Sequence, residues 1–164
     1  MESQSPNREI DRVEFVTFRE DLVPVYVELN REWIERHFAI EEMDLKQLED
    51  PKGNILSQGG EIFFVLENGQ AVATCAMVPH GPGCYELAKM AVSPVKRGRG
   101  YGDLLMARAI QWAKARGTKK VILLSNTILT PAIALYHKHG FISTRLGPHP
   151  DYERCNIEME LAFD

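Results

Sequence analysis

The apolar positions of this chain change rhythm several times, and each change marks an element. Val13 to Phe18 is β-branched and aromatic and predicts a first strand. From Leu22 to Phe38 the spacing is helical, with Val25, Leu29, Trp33, Ile34 and His37 toward one side and Pro24 suited to the first turn. Asp44-Leu45-Lys46-Gln47 has the form of a capping box and predicts a short helix that stops near Asp50-Pro51. Glu61 to Glu67 and Gln70 to Pro79 read as strands joined by Asn68-Gly69, a pair suited to a type I′ hairpin turn. Pro79 to Gly83 is a second turn, and a third strand runs from Cys84 to about Ser93. Three strands linked this closely imply an antiparallel meander.

Beyond Gly102 the rhythm becomes helical again. Leu104, Leu105, Ala109, Trp112 and Ala113 trace one stripe, which Gly117 ends. Val121 to Leu124 is a continuous apolar run, as expected of a strand covered on both faces. Thr130 and Pro131 suit the N-cap and first turn of a helix that Gly140 stops. The tail alternates, with Ile157, Met159, Leu161 and Phe163 on one face of a half-buried strand. These elements predict an α/β (α+β) domain over residues 11–164, after a frayed stretch at 1–10. Its sheet is mixed, with one parallel crossover between the strands at 84–93 and 120–125.

Composition narrows the class. The 164 residues are 45% hydrophobic and 26% charged, as expected of one globular domain with a real core. A formal net charge of −4 argues against broad nucleic-acid binding. No apolar run reaches the roughly 18 residues of a membrane span. Met1 to Glu9 is polar and does not read as a secretory signal. Cys75, Cys84 and Cys155 are an odd number without metal-type spacing, so buried thiols in a reducing cytoplasm are expected, without a metal.

The most chemical segment is Lys96-Arg97-Gly98-Arg99-Gly100-Tyr101-Gly102, which lies between a strand and a helix. That order presents free backbone N–H groups and the positive end of a helix dipole to an anion. Glycine lets the backbone approach a ligand closely, and the basic side chains suit phosphate oxygens. A diphosphate site is expected here, against the plainer reading of a basic turn.

Arg97-Gly98-Arg99-Gly100-Tyr101-Gly102 resembles the Gln/Arg-x-x-Gly-x-Gly/Ala signature of the GNAT superfamily of acetyl-coenzyme A-dependent N-acetyltransferases. The preceding Glu86 to Pro94 is similar to that family's fourth strand. Ser125-Asn126-Thr127 and the run Pro131 to Phe141 resemble its second hallmark. Trp33-Ile34, Asp50-Pro51 and Gly59-Gly60 are also similar to a bacterial subgroup of the family. The resemblance implies a mostly antiparallel sheet of six to seven strands flanked by helices, its fourth and fifth strands splayed. It also implies acetyl-CoA as cosubstrate. Backbone groups of Met90, Ala91 and Val92 would meet the pantetheine arm. Arg97, Gly98, Arg99, Gly100, Tyr101, Gly102 and Asp103 would hold the pyrophosphate, and Asn126 the pantetheine amides.

The same resemblance gives Glu86 the place of a general base and Tyr136 that of the acid that protonates the leaving thiolate. As alternatives, Glu86 is an exposed or substrate-orienting carboxylate and Tyr136 a core tyrosine. Acetyl-CoA would then be attacked directly by the primary amine of a small molecule or peptide in a ternary complex. For that acceptor, Trp33, Glu41, Tyr152 and Arg154 are candidates, with Arg154 able to hold a carboxylate bidentately. Glu41, Glu42 and Asp44 either attract a cationic amine or form a solvated helix cap. Three rivals stay open: a non-catalytic acyl-CoA sensor, a dinucleotide-binding oxidoreductase, and transfer to an acceptor other than an amine or of an acyl group longer than acetyl. The second lacks a glycine where Asp103 stands and an acidic end to the following strand. A homodimer is a further expectation from the relatives.

Overall fold

The computed structural model describes residues 12–164, so the expectation of a frayed start lies outside the described residues. The strands are Val13–Thr17 (β1), Glu61–Glu67 (β2), Gln70–Pro79 (β3), Cys84–Val92 (β4), Lys120–Ser125 (β5), Ile142–Leu146 (β6) and Ile157–Ala162 (β7). They form a 7-stranded sheet in the order β1-β2-β3-β4-β5-β7-β6. β4 and β5 are parallel, and every other neighbouring pair is antiparallel. The helices are Val23–His37 (α1), Glu42–Glu49 (α2), Pro51–Asn54 (α3), Tyr101–Ala115 (α4) and Thr130–Lys138 (α5).

The central strands are apolar on both rows because helices cover both faces. From β2, Ile62, Phe64 and Leu66 pack with Leu22, Tyr26 and Leu48 on one side of the sheet. The intervening Phe63 and Val65 join Leu105, Met106 and Ala109 of α4 on the other. Trp112 closes that second core edge-on to Phe63 and Tyr85, at 5.6 and 5.1 Å between ring centroids. Asn68 and Gly69 both have positive φ (52° and 82°), the backbone that a type I′ turn requires.

Three local expectations shift. α2 begins at Glu42, and its capping box is closed by Glu41 and Asp44 rather than opened by Asp44. The Asp44 carboxylate accepts from the Glu41 amide at 2.9 Å, which fixes the start three residues earlier. α5 is entered from Leu129, whose carbonyl accepts from Ile133 at 3.0 Å, so Thr130 is already helical and caps nothing. β6 has no periodicity to announce it, since it is an outer strand exposed along its whole length. Cys75, Cys84 and Cys155 are buried free thiols. Among the described residues, no helix is long and apolar enough to cross a membrane.

Candidate functional site

The parallel seam is short. β4 and β5 pair at Cys84–Lys120, Tyr85–Val121 and Glu86–Ile122, and no further. β5 continues beside β7 as far as Ser125. β4 meanwhile slips register against β3 between Thr74 and Ala76, and Lys89 takes a φ of 52°, rare for a side-chain-bearing residue. The strands therefore part beyond Glu86 and open a cleft of about 730 Å³. Met90, Ala91 and Val92 line one wall, and Leu124, Ser125 and Asn126 the other.

One end of the cleft is the glycine loop. Gly98 and Gly100 have φ of 78° and 80°, which alanine adopts only with strain. Gly102 serves packing instead, because a Cβ there would lie 3.2 Å from Leu135 Cδ2. No side chain caps α4 at Gly100, so the first-turn N–H groups and the positive helix end face the cleft. This backbone fits a pyrophosphate.

The basic side chains are divided. Lys96 donates to Glu67 at 2.6 Å, Arg99 donates to the same carboxylate at 3.0 Å, and the Tyr101 hydroxyl also donates to it. Glu67 is the last residue of β2 and little exposed. The hydrogen bond from Lys96, reinforced by Tyr101 and Arg99, holds its carboxyl down at about 2. Arg99 is not among the residues that line the cleft, and the Tyr101 phenol is engaged by Glu67. Arg97 lines the cleft with only a loose contact, 3.9 Å from Glu32. Asp103 pairs with Lys138 at 2.8 Å and His139 at 2.9 Å, clamping α4 to α5. Asn126 lines the wall, but Nδ2 donates to the Arg154 carbonyl at 2.6 Å and Oδ1 accepts from Ile128 at 3.0 Å. Its first duty is to shape the loop after β5.

Glu86 and Tyr136 both line this cleft. Burial raises the Glu86 carboxyl above its ordinary range, partly offset by the charges of Lys89 and His80. His80 Nδ1 is 4.0 Å away. Burial likewise pushes the Tyr136 phenol up to about 12, against a hydrogen bond with Ser125 that lowers it.

The opposite end contains a network that the sequence did not announce. Lys89 donates to Asp44 Oδ1 at 2.7 Å, and both side chains are almost inaccessible. Arg154 donates through Nη1 to Asp44 Oδ2 at 2.5 Å and to Glu41 Oε2 at 3.3 Å, and through Nη2 to Asp44 Oδ1 at 2.6 Å. Its guanidinium also lies 4.7 Å from the Tyr152 ring and 5.8 Å from the Trp33 ring. Burial alone would raise the Asp44 carboxyl, but the hydrogen bond from Arg154 and the charge of Lys89 hold it at about 2. Trp33, Tyr152 and Arg154 line the cleft, while Glu41 stands behind it, capping α2 and accepting from the Glu153 amide at 2.7 Å. The acidic cluster is a helix cap with a buried anchor, not a solvated one. Lys89 was detectable only as a lone charge inside an apolar strand.

A mixed sheet parted between its two parallel strands, with a glycine loop feeding a helix, is the architecture of the GNAT acyltransferases. The sequence pattern of the acetyltransferase (GNAT) family matches residues 22–141, and the chain belongs to that family. An uncharacterized N-acetyltransferase of Schizosaccharomyces pombe is 34% identical over 97 residues, 57% of this chain. The chain spans 60% of that relative's length. A GNAT-family acetyltransferase from Staphylococcus aureus superposes with a TM-score of 0.85 at 19% identity, over 93% of this chain and 100% of that one. An acetyltransferase from Salmonella typhimurium, solved with acetyl-CoA, superposes at 0.75 with 19% identity, over 93% and 95% of the two chains.

Proposed function

We propose that this protein is an N-acetyltransferase that moves the acetyl group of acetyl-CoA to a primary amine of a small molecule or peptide, by direct attack in a ternary complex. The observation that carries this reading is the parted seam, with Glu86 and Tyr136 on its walls and an uncapped helix at its end. The Salmonella structure, which contains acetyl-CoA in the same fold, supports the choice of cosubstrate.

In this reading the pantetheine arm lies along Met90, Ala91 and Val92 as an additional strand. The pyrophosphate rests on the loop from Arg97 to Asp103, with Arg97, which is only loosely paired, as a cation available to it. The amine lone pair attacks the thioester carbon, and an amide N–H of the β4 wall steadies the oxyanion. Glu86 takes the amine proton, directly or through a water. As the tetrahedral species collapses, the C–S bond breaks and Tyr136 gives its proton to the thiolate sulfur.

Calorimetry with acetyl-CoA, followed by thiol release across a panel of amines, tests the proposal. Saturable binding and amine-dependent release are expected. Tyr136→Phe lowers turnover by about 10²-fold or more while acetyl-CoA affinity persists. Binding with no thiol release from any amine would favour a sensor. Failure to bind acetyl-CoA overturns the reading altogether.

A further inference from the structure

The acceptor end of the cleft has an unusual charge balance. Two cations border it, Lys89 and Arg154, and each is already committed to carboxylates of this chain. Arg154 is bound on both terminal nitrogens, is nearly buried, and fills the space between Trp33 and Tyr152. Its Nη1–Nη2 edge is taken by Asp44, and its charge and that of Lys89 are matched by Asp44 and Glu41. Arg36 also lines the cleft, but it is matched by Glu32 at 3.4 Å, which faces Arg97 as well at 3.9 Å. His37 adds an imidazole to the lining. The remaining charged group facing this end is Glu86, with the His80 imidazole 4.0 Å away.

Such a surface welcomes an ammonium or amine and has no unmatched cation with which to neutralise a second anion beside Glu86. Like charges brought together in a partly dehydrated site are strongly disfavoured. We infer that the acceptor is a primary amine flanked by neutral atoms, and that amines with a carboxylate on the same carbon are rejected. Arg154 is accordingly a wall and a gatepost rather than a carboxylate clamp, contrary to what its sequence position suggests. This rests on the acetyl-transfer reading and narrows it to decarboxylated or amide-linked amines, peptide N-termini included.

Matched pairs test it: tyramine against tyrosine, histamine against histidine, agmatine against arginine, and a dipeptide amide against free glycine. kcat/KM by thiol release, and binding to the acetyl-CoA-saturated protein, are measured for each. The neutral-flanked member is expected to win by about 10²-fold or more. Asp44→Asn and Glu41→Gln, which loosen the hold on Arg154, are expected to narrow that ratio about tenfold. A melting curve checks that each variant is folded, and Glu41→Gln decides if Asp44→Asn is not. Equal or better use of the carboxylated members overturns the inference. So does a protein that binds acetyl-CoA yet neither binds nor acetylates any neutral-flanked amine, or a ratio unmoved in both variants. Loss of acetyl-CoA binding itself would instead count against the underlying acyl-transfer reading.

Discussion

At the residue scale, Glu86 owes its position to β4 and its basicity to burial. In the proposed mechanism Glu86 is the base and works only when ionised, so activity is expected to climb with pH as it loses its proton. Because its carboxyl is raised above 4.5, that acid limb is displaced toward neutrality. Glu86→Gln is expected to lower kcat by about 10²-fold and to abolish the limb, while acetyl-CoA binding is unchanged; a pH profile of both proteins checks this. Glu86, Tyr136 and the glycine loop, which the family resemblance singled out, all line the cleft, and the motifs that carry that resemblance are each local to one strand, turn or helix. Lys89, Asp44 and Arg154 were not legible as a network in the sequence, since their bonds join positions 45 and 110 residues apart. Arg154 read as a candidate carboxylate clamp because nothing near it in the chain betrays Asp44.

At the level of elements, the Asp44 carboxylate joins three that otherwise touch little: α2, the bulged part of β4, and the loop between β6 and β7. Removing one partner of such a buried network leaves the others charged and unpaired. Asp44→Ala is expected to cost about 3–5 kcal/mol, read as a lower urea midpoint with an unchanged slope. The element boundaries that the sequence misplaced lie in the same region or beside it. Asp44 looked like a cap because aspartate so often is one; its burial could not be read from a capping pattern. β6 was invisible for the opposite reason, as an outer strand with no covered face has no alternation to display.

For the whole molecule, charge that is locally arranged sets the response to acid. Asp44 and Glu67 are both held at about 2, below their ordinary 3.8 and 4.5. Between those values the unfolded chain binds more protons than the native one. The stability that they contribute is therefore complete above about pH 5 and drains away as pH falls toward 2. Glu86 opposes this, its raised carboxyl favouring the native state as it protonates, but it is one group against two. Urea unfolding at pH 6, 4 and 3 should show a steadily falling midpoint, with a shallower fall in Glu67→Gln. The sheet order itself was legible as a class, since a meander followed by one crossover leaves few topologies open. The width of the cleft was not, because it depends on where two strands cease to touch.

That cessation has a consequence for cohesion. Two sub-sheets, one carrying the meander and the other the final strands, are laced along their common border by three rungs and then left open. In the proposed reaction the missing stitches come from the amides of the acyl carrier, which makes the carrier a temporary piece of the architecture. The enzyme is thus at its most tightly knit when loaded, and it loosens each time the spent thiol departs.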